Sequence, residues 1–540
     1  MTPPADRSVL PGHARTAGAS REAGPDGYDA GPVWWWFAPP ALMLALALWR
    51  ITGPSYWRDE AATMTAVQRP FGALLRMMGH VDAVHGVYYM LIWAAVRAGG
   101  PGELVTRLPS ALAMAGAAAA VAALGRRLVS PAAGLASGLL FAVLPQISLY
   151  AQDAREYALI TALAATASYL LVRAMTTAGP RRVWLAGYAA CLGVMGSLNV
   201  FSLLLAGAHA VTMGAARLRA ARGDGPRGGG GGASGPGGGG GPAPGRRLAL
   251  GWLAAAAGGF VLAGPVLALG FAQRGTLRWL TTPQLATAIE GLRRLIGPTQ
   301  MLLAVAAAAG LGALLAAAGG RACLRAAWPP GLLALCLPWL VLPPAALIGV
   351  SYASPVYTFR YVLFCAPAAA LLASAGLAAL RWPSGGALAW APAGAAFALI
   401  AVLGFPAQIA ARSADGHGTN IRAANAIVAG HRRRGDAVLY LGTDSKYFPA
   451  AYTGGFARLD DIAQRKTPSQ AGNLVGTDLG GAVVRQRLAR VSRVWVVKLG
   501  SYPRDPLPHG LGFRLVQHWR TSDIWLLLLA RGPADLTRPA

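Results

Sequence analysis

Tyr56-Trp57-Arg58-Asp59-Glu60 follows directly on an apolar run, residues 35–52, long enough to cross a bilayer. A second cluster, Tyr150-Ala151-Gln152-Asp153-Ala154-Arg155-Glu156-Tyr157, follows the third such run. A charged side chain at the centre of a spanning helix costs about 2.5–3.5 kcal/mol. Carboxylates gathered where spans end therefore mark a site at a lipid surface more than a chance surface charge. The two clusters lie close in chain order and on the same side of the membrane once the spans are counted.

Working outward from these clusters, the rest of the chain repeats the pattern. Of its residues 55% are hydrophobic and 13% charged, and the mean hydropathy is +0.44. An ordinary soluble domain is excluded. The spans are read at 35–52, 105–124, 131–150, 157–175, 184–198, 200–216, 248–272, 299–319, 331–350, 361–380 and 386–404. The expected fold is thus an all-α multi-pass transmembrane bundle of about eleven helices, residues 33–404, followed by a small C-terminal α/β domain, residues 405–540. Residues 1–32, polar and rich in Gly, Pro and Ala, read as a disordered cytoplasmic tail.

The net charge of +27 is carried almost wholly by Arg in short loops between apolar runs. That is the positive-inside pattern, and it argues against nucleic acid as a partner. Arg126-Arg127, Arg181-Arg182, Arg217 to Arg247, Arg321 with Arg325, and Arg381 fall in alternate loops, which places them in the cytoplasm. Residues 53–104, 151–156, 273–298, 351–360 and everything after 405 are then outside. Counting Val87–Val96 as a span would reverse every later loop, so it is read as an interfacial helix within the 53–104 loop. Residues 217–247 are a Gly-rich cytoplasmic linker with no nucleotide-binding spacing. The cysteines, Cys191, Cys323, Cys336 and Cys365, have neither metal nor disulfide spacing.

Past residue 405 the periodicity changes. Residues 420–434 read as an amphipathic helix and Ala437–Leu441 and Arg493–Val497 as strands. Phe513–Trp519 and Ile524–Ala530 read as a hairpin around Thr521-Ser522-Asp523.

The run from Asp82 and His85 through Tyr88-Tyr89 and Trp93 to Arg107-Leu108-Pro109-Ser110 resembles the first outer loop of the polytopic GT-C glycosyltransferases that use polyprenyl-phosphate sugars. These include the protein O-mannosyltransferases and the aminoarabinose transferase of lipid A, and the likeness is to the bacterial branch of glycosyltransferase family 39. Asp59-Glu60 resembles that class's acidic motif. Asp153-Ala154-Arg155-Glu156-Tyr157 resembles its second outer motif, and Phe359-Arg360-Tyr361 a late Arg-Tyr motif. Relatives often carry His-Pro-Pro where this chain has His85-Gly86-Val87.

The resemblance implies a multi-pass enzyme of the cell membrane, mannosyltransferase-like, moving a hexose or pentose. Its donor would be a polyprenyl-phosphate sugar, its setting the membrane lipid, and its acceptor an extracytoplasmic glycan, lipid or protein. A carboxylate must take the proton of the attacking hydroxyl. Asp59 is the first candidate, with Glu60 and Asp153 in support. Arg suits the departing phosphate because its planar fork binds two oxygens, and Arg155 and Arg360 are placed there. His85, Tyr89, Arg107, Tyr157 and Tyr361 complete the expected substrate-binding set. Asp59, Glu60 and Asp153 are of the type that holds a divalent cation, though their spacing does not demand one. The competing reading is a transporter or flippase of a lipid-linked sugar.

Overall fold

The computed structural model describes residues 32–177, 179–222, 244–277, 281–381 and 386–532. The expected tail falls outside these residues except at its last position, as does the middle of the Gly-rich linker.

The chain opens with α1 (Trp34–Leu48) and then builds its outer loop from three helices, α2 (Arg58–Val67), α3 (Phe71–His80) and α4 (Gly86–Gly99). At 14 residues α4 reaches only about 21 Å, short of the roughly 30 Å hydrocarbon layer. Then come α5 (Glu103–Leu128), α6 (Pro131–Val143), α7 (Pro145–Tyr150), α8 (Tyr157–Thr176), α9 (Arg181–Leu198), α10 (Leu204–Ala221) and α11 (Pro244–Ala272). The second half holds α12 (Leu285–Arg294), α13 (Thr299–Ala318), α14 (Arg321–Ala327), α15 (Pro330–Ser351), α16 (Ala366–Ala379) and α17 (Ala391–Ala411). Among the described residues, eight helices are long and apolar enough to span a membrane. The runs at Trp34–Leu48 and Pro131–Val143 are shorter apolar helices.

Three boundaries depart from the sequence reading. The run 131–150 is not one helix: it breaks at Leu144, which is extended. Pro145 causes this, since its ring disfavours helical geometry in the residue before it. The linker is shorter than 217–247, because α10 runs to Ala221 and α11 begins at Pro244. The last apolar helix continues to Ala411, so the α/β part begins after it and not at 405.

Small residues let the helices approach closely, the usual packing device in lipid. A Cβ on Gly312 of α13 would lie 2.1 Å from the Gly376 carbonyl oxygen of α16. Likewise a Cβ on Gly134 of α6 would meet the Ala122 carbonyl of α5 at 2.6 Å.

The C-terminal part begins with α18 (Ile421–His431), capped by the Asn420 side chain. Its main sheet uses β1 (Ala437–Leu441), β2 (Asp460–Asp461), β5 (Arg493–Leu499), β6 (Phe513–Thr521) and β7 (Ile524–Arg531) in the order β2-β1-β5-β7-β6. A two-stranded pair, β3 (Gln464–Lys466) and β4 (Thr477–Asp478), stands apart. β1 lies parallel to β5, whereas β5, β7 and β6 are antiparallel. The β6–β7 hairpin turns at Ser522, whose φ is positive.

This domain clamps the chain just ahead of α2. Arg422 donates to the carbonyls of Thr52, Gly53 and Pro54 and pairs with Glu103. The Tyr452 hydroxyl accepts from Tyr56 N at 2.8 Å and bonds Glu103 as well. Ser55 N donates to the Ala414 carbonyl at 3.0 Å. Phe448–Ala451, a short helical turn labelled α19, packs on α2, where Gln68 Nε2 donates to Ala450 O at 2.8 Å.

Candidate active site

The acidic pair begins α2, where the helix dipole favours negative charge in the first turn. Its two members point into different surroundings. Glu60 is fully buried and receives four donors. Arg107 gives it Nε and Nη2 at 2.8 and 2.7 Å, Ala154 its N–H at 2.8 Å, and Trp57 its N–H at 3.3 Å. Arg107, also fully buried, spends its remaining donors on the carbonyls of Ile51, Pro54 and Ser55. Burial works against the Glu60 carboxylate, but Arg107 prevails and lowers its pKa to about 2.

Glu60 and Arg107, expected in catalysis and substrate binding, therefore form a buried ion pair that fixes residues 51–60. Breaking such a pair strands a charge in a dry interior and costs about 3–5 kcal/mol. Glu60→Gln is expected to lose folded protein on that scale, measured as thermal denaturation in detergent. Because the Glu60 pKa is lowered on folding, its contribution is complete above the ordinary Glu value and fades as pH falls toward about 2. Unchanged stability in Glu60→Gln would show that the pair does not hold the turn.

Asp59 meets a cluster of arginines instead. Arg360 Nη1 lies 3.0 Å from its Oδ2 and Arg58 Nε 3.0 Å from its Oδ1. Burial raises its pKa, but Arg360, Arg155 and Arg58 together hold it below the ordinary carboxylate range. Arg58 also reaches Asp444 of the C-terminal domain at 3.3 Å. The Arg360 guanidinium stands 5.5 Å from the Trp57 ring centroid and 6.0 Å from that of Tyr157, a cation–π setting. Tyr361 stacks on Phe201 at 5.3 Å, and Tyr157 packs edge-on against Tyr150 at 5.2 Å. A narrow cavity lined by Tyr157, Ile160, Asn199, Arg360, Tyr361 and Phe364 opens beside this cage.

The second acidic cluster sits against the first. Asp153 is fully buried and accepts from the Trp57 indole N–H at 2.9 Å, while its Oδ2 has no partner among the described residues. Burial first, then Glu60 and Asp59, push its pKa well above the ordinary carboxylate range. Glu156 takes the ionised role instead. It lies 3.1 Å from His85 Nδ1 and 3.3 Å from Arg155 Nε, ionic contacts without aligned hydrogen bonds. Burial opposes its charge, but Arg155 and His85 bring its pKa down to about 2. Arg155 Nη2 lies 3.1 Å from His85 Nε2 and 3.3 Å from its Nδ1. Tyr89 stands behind His85 at 5.9 Å between rings, and its hydroxyl donates to Asp82 Oδ2 at 3.2 Å.

Thus Asp59, Arg155, Tyr157, Arg360 and Tyr361 come together, with Asp153 and His85 at their edge and Tyr89 one layer further out. The sequence reading missed Arg58 and Glu156, although both stand inside motifs it singled out. It also missed His417. This residue follows α17, its side chain is 1% exposed, and its Nδ1 lies 3.8 Å from Glu60 Oε2. Burial lowers the His417 pKa despite the pull of Glu60. Glu60, Asp153 and His417 bring metal-binding atom types within 4.8 Å of one another.

ArnT from Cupriavidus metallidurans in the apo state superimposes over 93% of this chain and 99% of its own, with a TM-score of 0.58 at 12% identity. The chain has the GT-C fold. The same protein bound to undecaprenyl phosphate gives a TM-score of 0.57 at 13% identity, over 94% of this GT-C chain and 100% of that one. The family model described as dolichyl-phosphate-mannose-protein mannosyltransferase matches residues 85–219. That interval runs from His85 through α4, α5 and the Asp153–Tyr157 motif to the end of α10. No curated protein matches this GT-C chain by sequence.

Proposed function

We propose that the chain transfers one sugar from a polyprenyl-phosphate donor to an extracytoplasmic acceptor. The observation that carries this reading is Asp59 held between Arg360 and Arg58, with Arg155 beside it, at the end of a membrane bundle. The fold match to a protein that binds undecaprenyl phosphate supports the donor class.

Arg155 and Arg360 face the carboxylates Glu156 and Asp59, and Arg58 is shared between Asp59 and Asp444. A polyprenyl phosphodiester of a sugar carries one negative charge, which Arg155 and Arg360 would contact. In the reaction the acceptor oxygen attacks the anomeric carbon and the bond from that carbon to the phosphate oxygen breaks. The electron pair leaves with the phosphate, which becomes dianionic, and the acceptor proton passes to Asp59. A single displacement of this kind inverts the anomeric carbon.

Asp59 in its present bonds is a weak base. When the donor phosphate draws Arg360 and Arg155 onto itself, the carboxylate loses the partners that depress its pKa, and its basicity rises where it is needed. Asp153 and His417 would hold a divalent cation, while Glu60 would join them only by releasing Arg107. Such a cation would offset charge on the phosphate.

The Arg-rich end of the bundle is assigned to the cytoplasm and the C-terminal domain to the outside. Both assignments are tested in proteoliposomes sorted by orientation, supplied with a labelled polyprenyl-phosphate sugar and an acceptor extract. Transfer, with one polyprenyl phosphate released per sugar, is expected only when the substrates meet the face bearing residues 412–532. Movement of intact lipid-linked sugar across the bilayer without bond cleavage would establish the transporter reading instead.

A further inference from the structure

The end of the bundle remote from Asp59 has its own pocket. α10 starts beside the site, next to Asn199 and Phe201, and α15 ends there, where Val356 N bonds Ser351 Oγ. Arg219 and Pro330, toward their opposite ends, are therefore about 22–32 Å away along the helix axes. Between them and α14 lies an open groove of about 500 Å³. Its wall is apolar, built from Ala215, Leu324, Leu333 and Trp328, and its charged groups are Arg219 and Arg325. Nothing among the described residues buries any part of α14, whose Leu324 is exposed on this groove.

The described stretches 125–131, 179–184, 215–222, 244–250 and 319–330 contain Arg and no Asp or Glu. Arg126 lies on the Trp36 ring, Arg173 on Trp184 and Arg381 on Trp390. Trp and Arg together mark the depth of lipid headgroups. Among the described residues neither Arg219 nor Arg325 has an acidic partner, and Arg219 Nε donates to the Ala215 carbonyl of its own helix at 3.2 Å.

We infer that this groove binds one anionic glycerophospholipid, its acyl chain along Ala215, Leu324 and Leu333 and its phosphate between Arg219 and Arg325. An apolar trough lined by two arginines matches a molecule with an apolar chain and an anionic phosphate. A zwitterionic lipid fits the trough but brings its own cation to the arginines.

The test is native mass spectrometry of the delipidated full-length protein titrated with phosphatidylglycerol or phosphatidylcholine. The wild type is expected to retain one phosphatidylglycerol with at least a tenfold preference. The double variant R219Q/R325Q should reduce that preference to twofold or less, whereas R181Q/R182Q, on the same face outside the groove, should leave it unchanged. Leu333→Trp, which fills the trough and keeps both arginines, should abolish retention even if the double variant folds poorly. Equal retention of both lipids overturns the inference. So does an equal loss in R181Q/R182Q, displacement by millimolar inorganic phosphate alone, or displacement by an equimolar polyprenyl phosphate. None of these results bears on Asp59, so they are separable from any failure of the transfer reading.

Discussion

Asp59→Asn is expected to lower transfer by about 10²–10⁴-fold, the range a positioned general base contributes. The substitution keeps the side-chain shape and can still accept from Arg58 and Arg360. Folding and membrane insertion should therefore survive, as gel filtration in detergent would show. Donor binding should hold or tighten, because removing the carboxylate frees positive charge for the phosphate. The combination of a fallen kcat and an unchanged or lower KM for donor separates a lost base from a damaged site. A rate within a few-fold of the wild type would remove Asp59 as base. Asp153 is differently placed: it is fully buried, and burial pushes its pKa up.

The double variant R155K/R360K should lose far more than geometry-free charge would suggest. Each arginine reaches the surroundings of Asp59 from a different element, Arg155 from the loop before α8 and Arg360 from the segment before α16. Lys keeps the charge and gives up the two-pronged contact. Each single variant is expected to weaken donor binding by about 1.5–3 kcal/mol, the worth of a charge-assisted hydrogen bond. If both hold one phosphate, the cycle should show a coupling of about 0.5–3 kcal/mol, read from donor affinities of the two singles and the double. Strictly additive losses would place the two guanidiniums on separate ligands.

The spans were legible because an apolar run of bilayer length needs no tertiary context. The hairpin at Ser522 was legible for a similar reason, since turn residues and flanking β-branched and aromatic residues act locally. The break at Pro145 was also present in the sequence, in the rule that a residue before proline avoids helix. The division of labour within Asp59-Glu60 was not. Adjacent residues of a helix point about 100° apart, and which one meets Arg107 depends on how α5 returns past α2. His417 gave no local signal at all: a single histidine in a polar turn after α17 becomes part of the buried cluster only through docking of the C-terminal domain. Nor was the pairing of Arg107 with Glu60 legible: Glu60 lies far away in the chain, and the contact is set by the packing of α5 on the turn before α2.

The clamp on residues 52–56 sets the order in which the molecule becomes competent. Asp59 emerges from the ribosome near the start of synthesis, yet the turn that aims it is held by Arg422 and Tyr452. Arg360, its nearest outside cation, is also made late. The nascent chain therefore inserts most of its helices before it owns a reaction centre, and the last quarter of translation is the step that arms it.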